Sequence, residues 1–241
     1  MQNSGTRVLL MGGQACVFYG AAQVSKDVDF LVLHSDENLE RLHAALTSLS
    51  AVRIAEPPFD PRHLERGHAV HYRCKVPEAD GLRIDIMTRL RDLPDFETLW
   101  ERRTVFTEES GMGFHLLCIP DLIRAKKTQR TKDWPVIEAL ASIHYAENAG
   151  CPRPDWIRFW LSEIRSPELL LDLVKRFFEA TQLLLSVRPL LALALDEDLP
   201  ALRTALDAEM RAEQEKDRLY WEPLKREMEA FRRAERGQAD G

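Results

Sequence analysis

Apolar residues in the first half of the chain fall in short runs broken by turn-forming residues. Val8 to Met11 is one such run, closed by Gly12-Gly13, and Asp27 to Leu33 is another; each reads as a buried strand, with Gln14 to Ala22 helix-compatible between them. Leu39, Leu42, Ala45, Leu46 and Leu49 recur at helical spacing. Val52 to Ile54, Ala69 to Val76 and Leu82 to Met87 read as further strands, separated by Pro57-Pro58, Pro61 and the turn Asp80-Gly81. After Ile119-Pro120 the period becomes helical throughout. Pro120 suits the first turn of a helix carrying Leu122, Ile123 and Ala125, and Thr131 or Asp133 can cap a second through Val136, Ile137, Leu140 and Ile143. Pro154 opens a third, Ser166-Pro167-Glu168 caps the apolar stretch Leu169 to Leu185, and Leu199 to Arg236 reads as a long charged helix before a frayed end at Gly237 to Gly241. The pattern predicts an α+β protein: a small mixed sheet with flanking helices over residues 1–118, followed by an all-helical region over 119–241.

Composition narrows the class. The 241 residues are 45% hydrophobic and 30% charged, which suits a globular chain with one or two cores and excludes disorder as a description of the whole. No apolar run approaches the roughly 20 residues of a membrane-spanning helix. Met1-Gln2-Asn3-Ser4 lacks the basic-then-apolar pattern of a secretory signal, so a cytoplasmic protein without membrane partners is expected. The four cysteines, Cys16, Cys74, Cys118 and Cys151, are scattered and read as free thiols rather than zinc ligands or disulfides. A net charge of −6 argues against coating nucleic acid, which needs many cations on phosphates. The segment Asp121 to Asp133 departs from that average: five basic and two acidic residues give it a local charge of +3, which fits a compact anion.

The candidate chemistry begins at Asp27-Val28-Asp29-Phe30. Residues two apart on a strand share a face, so Asp27 and Asp29 project together while Val28 and Phe30 point into a core. Two adjacent carboxylates repel, and a cation should sit between them; oxygen ligands suit a hard ion such as Mg²⁺ or Mn²⁺. Asp85, in Arg83-Ile84-Asp85-Ile86-Met87, has the same alternation. If its strand neighbours the one bearing Asp27 and Asp29, the three carboxylates meet at one edge of the sheet and can hold two divalent ions. His68 and His71, three apart in an extended region, point to opposite faces and do not make a metal pair.

Leu10-Met11-Gly12-Gly13, thirteen residues, then Asp27-Val28-Asp29-Phe30 resembles the signature of the nucleotidyltransferase superfamily related to DNA polymerase β. The nearest subfamilies are the minimal nucleotidyltransferases and the AbiEii-type toxins of bacterial phage defence. The resemblance implies that Gly12 and Gly13, with Ser25, hold a nucleoside triphosphate, and that Asp27, Asp29 and Asp85 bind the metals and carry catalysis. A second segment, Pro120 to Lys127 continuing to Arg130-Thr131-Lys132-Asp133, resembles the stretch that follows the catalytic domain. It implies that Lys126, Lys127 and Arg130 contact phosphate, with Lys126 and Arg130 on one face if their helix is continuous. The implied activity moves an NMP from an NTP to an acceptor hydroxyl on a small molecule, a protein or an RNA end, releasing pyrophosphate. This chain departs from many relatives in having Gln23 and Ser25 where they carry Arg and Thr.

Other readings of the same residues stay open. A nucleotide-binding component of a toxin–antitoxin pair, with a partner protein and little turnover, needs the same residues. Glycosyltransferases also use an Asp-x-Asp pair, but with a larger nucleotide-binding region ahead of it than the 26 residues available here. Asp85 can pair with Arg83 or Arg89, and Lys126 with Lys127 can be a solvated face. Trp156, Trp160, Phe177 and Phe178 read most simply as core.

Overall fold

The computed structural model describes residues 4–109 and 111–239. It is an α+β protein with a mixed seven-stranded sheet, flanking helices and a long helical C-terminal region. The elements follow in the order β1 (Val8–Met11), α1 (Gly12–Phe18), β2 (Asp27–Val32), α2 (Asp36–Ser48), β3 (Val52–Arg53), α3 (Pro61–Glu65), β4 (Val70–Arg73) and β5 (Arg83–Met87). Then come α4 (Phe96–Glu101), β6 (Thr104–Thr107), β7 (Gly113–Leu116), α5 (Ile119–Lys126), α6 (Trp134–Asn148), α7 (Pro154–Glu163), α8 (Pro167–Arg176), α9 (Phe178–Leu184), α10 (Leu190–Leu195) and α11 (Leu199–Ala239). By backbone packing, the described residues up to Ala125 and from Leu219 onward form one unit and those of 126–218 a second, so the end of α11 belongs with the sheet.

The strand order is β3-β4-β5-β2-β1-β7-β6. β2 runs antiparallel to β1 but parallel to β5, and a parallel neighbour requires a crossover; here the chain passes through α2, β3, α3 and β4 before returning as β5. One face of the sheet is the core. Phe30, Val32, Ile84, Ile86, Val70 and Tyr72 pack there against Leu39, Leu42 and Leu46 of α2. The helical spacing of those leucines is what lets one stripe of α2 cover the sheet. Ser35 caps the helix by accepting from the Asn38 backbone N–H. The buried Asn38 side chain accepts from the Arg7 N–H at 2.7 Å and donates to the Arg7 and Leu33 carbonyls, fixing α2 to the chain entering β1.

Several expectations change in detail. α1 begins on the glycines and ends at Phe18 rather than Ala22, the chain turning at Gly20 with φ +76°. The hairpin β6–β7 and the helices α3, α4 and α10 carried no decisive periodicity and appear only in the structure. Leu169 to Leu185 is divided into α8 and α9 at Phe177, after Ser166 caps α8 as its sequence suggests. α11 is assigned through Gly237 to Ala239, and Asp240 and Gly241 lie outside the described residues.

In the helical unit Trp160 is fully buried and donates to His144 Nδ1 at 2.9 Å, so it is core; Phe178 is 54% exposed and is not. Among the described residues no helix is long and apolar enough to cross a membrane.

Cys16 and Cys74 are buried and Cys151 is exposed. Burial, with the Asp121 carboxylate 3.1 Å away, pushes the Cys118 thiol up to about 12. Only a thiolate reacts quickly with disulfide reagents. The native protein is therefore expected to show fast reaction at Cys151 alone, and at all four thiols once unfolded. Fast labelling of Cys118 in the folded protein, mapped by mass spectrometry, would contradict this packing.

Candidate active site

Asp27 and Asp29 leave β2 on the face opposite Val28 and Phe30. The register then settles where Asp85 goes: β5 lies directly beside β2, with Asp29 opposite Asp85, Asp27 opposite Arg83, and the apolar pairs Val28 with Ile84 and Phe30 with Ile86 between them. Partners in a parallel pair share a face, so the three carboxylates stand on one face. They occupy the middle of the sheet rather than its edge, since β4 and β3 lie beyond β5 and β1, β7 and β6 beyond β2.

The Gly12-Gly13 turn is packed against this cluster. Met11 is the register partner of Asp29 across β1 and β2, and Gly12 follows with φ +67°. A Cβ on Gly12 would lie 1.8 Å from Asp29 Oδ2, and one on Gly13 would lie 2.4 Å from Ser25 Oγ. Only glycine leaves room at either position, and at Gly12 only glycine takes the backbone without strain. Ser25 donates its hydroxyl to the Asp27 carbonyl at 2.9 Å, and Gln14 donates its side-chain amide to the Ser25 carbonyl at 2.9 Å. Gly12, Gly13, Ser25, Asp27 and Asp29 are thus one assembly. Gly12→Ala is expected to cost about 1–2 kcal/mol from the left-handed backbone alone, and also to displace the Asp29 carboxylate. Urea unfolding checks the first, and an unchanged midpoint would mean that the turn is not held as described.

Asp85 is already engaged. Arg83 grips it with two bonds, Nε to Oδ1 at 2.7 Å and Nη2 to Oδ2 at 2.9 Å, and His71 Nδ1 approaches Oδ1 at 2.8 Å from the adjoining β4. The same nitrogen lies 3.1 Å from Arg83 Nη2, so it donates to Asp85 in one tautomer and accepts from Arg83 in the other. Burial on its own would raise the Asp85 pKa, but the hydrogen bonds from His71 and Arg83 outweigh it and hold the carboxyl below its ordinary 3.8. Arg83 is raised in turn, first by its bond to Asp85 and further by the charges of Asp27 and Asp29. All three carboxylates therefore act on one guanidinium. Sequence reasoning noted Arg83, two residues from Asp85 on the same strand, only as an alternative partner, and missed His71, whose role depends on β4 lying beside β5.

Among the described residues, no three His, Cys, Asp or Glu side chains are arranged to hold a metal ion. The donor chemistry is nonetheless of the kind a hard divalent cation takes, since three carboxylates share a face, with Arg83 on both oxygens of Asp85. Asp27 and Asp29 are half-buried, which leaves them accessible from that face.

The basic segment is arranged differently from expectation. α5 stops at Lys126, so Lys126 and Arg130 do not share a helix face. The chain leaves the helix because other groups satisfy its backbone: Asp217 accepts from the Gln129 N–H at 2.9 Å, and Trp134 Nε1 donates to the Thr128 carbonyl. Lys126 and Arg130 meet instead on Asp133, at 3.5 Å and 2.8 Å, where the Thr128 hydroxyl also donates at 2.7 Å. Lys127 pairs with Glu163 at 2.7 Å. These charges are compensated within the helical unit, and their contact with phosphate rests on the resemblance.

Neither the family models nor the curated proteins compared with this chain gave a match.

Proposed function

We propose that the protein is a metal-dependent nucleotidyltransferase that transfers an NMP from an NTP to an acceptor hydroxyl and releases pyrophosphate. The observation that carries this reading is the convergence of Asp27, Asp29 and Asp85 on one face of β2 and β5, with Gly12 pressed against Asp29. Asp27, Asp29 and Asp85 would hold Mg²⁺ or Mn²⁺. When bound, such ions polarise the α-phosphate and offset charge on the entering and leaving oxygens. The chain's own contribution is positioning: a pair of adjacent parallel strands presents the carboxylates, and Gly12 and Gly13 let the turn lie directly against Asp29 and Ser25, where any side chain would collide. His71 holds Asp85 in one orientation from β4.

The grip of Arg83 on Asp85 favours a second reading, in which the protein binds nucleotide with little turnover, as a toxin–antitoxin component. One experiment separates the two. The purified protein is incubated with each labelled NTP and Mg²⁺, and pyrophosphate release and transfer of label to itself, to tRNA and to small acceptors are followed. Release and transfer support the enzyme; Mg²⁺-dependent nucleotide binding without either supports the second reading; no binding of any NTP overturns both.

A further inference from the structure

The three carboxylates at the centre of the sheet demand a positive charge, and the structure holds one. Arg83 is opposite Asp27 in the β2–β5 register and bidentate on Asp85. Its side chain is 37% exposed, against 14% for Asp85, so the guanidinium has solvent to move into while the carboxylate does not.

We propose that Arg83 is the resident counter-cation of this site and competes with the divalent metal for Asp85. The inference rests on the metal-site reading above and adds to it how the site is kept in the absence of metal. A guanidinium bidentate on a carboxylate uses both oxygens in the directions a metal ion would use, so the two cations exclude one another at Asp85. In the metal-free protein Arg83 neutralises part of the cluster and prevents the three carboxylates from repelling one another. Arrival of the metal moves Arg83 off Asp85 toward solvent, while His71, which is 16% exposed, remains bound. Occupancy by metal is thereby set below what three bare carboxylates would give.

Mn²⁺ binding without nucleotide tests this, followed by loss of the free-ion electron paramagnetic resonance signal in the parent, Arg83→Gln, Arg83→Lys and Asp29→Asn. An opposite charge at contact distance shifts a carboxylate's charge balance by about tenfold or more, so Arg83→Gln is expected to bind Mn²⁺ about tenfold more tightly than the parent. Arg83→Lys keeps the charge without the fork and should fall between, and Asn at position 29 should weaken binding. Thermal melting gives a second measurement: Arg83→Gln should melt lower than the parent without metal and gain more from Mn²⁺. Equal Mn²⁺ affinity in the parent and both Arg83 variants, or weaker affinity in Arg83→Gln, overturns the competition while leaving the metal site standing. Absence of Mn²⁺ binding by the folded parent and by both variants removes the metal-site reading and the competition with it.

Discussion

Asp29→Asn and Asp27→Asn should each abolish the stabilisation of the protein by Mg²⁺–NTP while leaving its fold intact. Each carboxylate stands on the shared face of β2, half-buried, at the Gly12-Gly13 turn or one step from Asp85 in register. An amide of the same shape keeps the packing but offers a metal one neutral oxygen. Groups that merely orient a metal ligand account for about 10- to 100-fold in affinity, and loss of a direct ligand should exceed that. The isosteric change also lowers the density of negative charge, so the metal-free variants should melt no lower than the parent. Differential scanning fluorimetry with and without Mg²⁺–NTP makes the comparison. A shift in both variants as large as that of the parent would show that the nucleotide's metal is held elsewhere.

Asp133→Ala should destabilise the helical unit severely. Asp133 and Lys126 are both buried, and Thr128, Lys126 and Arg130 all direct donors at the one carboxylate. Removing one partner of a buried pair leaves the other uncompensated, at a cost of about 3–5 kcal/mol. Urea unfolding measures it, and a loss below about 1 kcal/mol would mean that the cluster behaves as an exposed pair. The double variant Asp133→Ala, Lys126→Met, which removes both charges, should recover much of the loss. pH dependence follows from the same carboxyl. Burial alone would raise its pKa, but the Thr128 hydroxyl and the charges of Lys126 and Arg130 hold it below its ordinary 3.8. A carboxyl depressed on folding stabilises the protein at pH above its unfolded value, and that contribution is lost as pH falls through the lower folded one. The stability gap between the parent and Asp133→Ala, measured by urea unfolding at a series of pH values, should therefore be full above the unfolded carboxyl value and narrow as pH falls through the lower folded one.

Much of this protein was legible from its chain because the decisive relations are local. Alternation in Asp27-Val28-Asp29-Phe30 is enough to place both carboxylates on one face, and the leucines of α2 declare the stripe that covers the sheet. Caps are local too, so Ser166 could be read as the start of α8. Side-chain direction repeats every two residues in a strand and every 3.6 in a helix, and neither period requires knowledge of the rest of the fold. Gly12 was readable as a turn for a related reason, but its collision course with Asp29 was not.

What the tertiary structure alone decided is register. Nothing near Asp85 in the chain states that β5 lies beside β2, that Asp85 falls opposite Asp29, or that β4 brings His71 to the same carboxylate. The same kind of distant partner ended α5 at Lys126, because Asp217 and Trp134 offered the backbone of Thr128 and Gln129 bonds that a continuing helix would have made for itself. Strand pairing and these backbone bonds join residues far apart in sequence through groups that every residue carries, so they leave no mark on residue type. That is why the sequence revealed the three carboxylates and offered Arg83 as a partner of Asp85, while only the folded chain brought Asp29 and His71 to that pair.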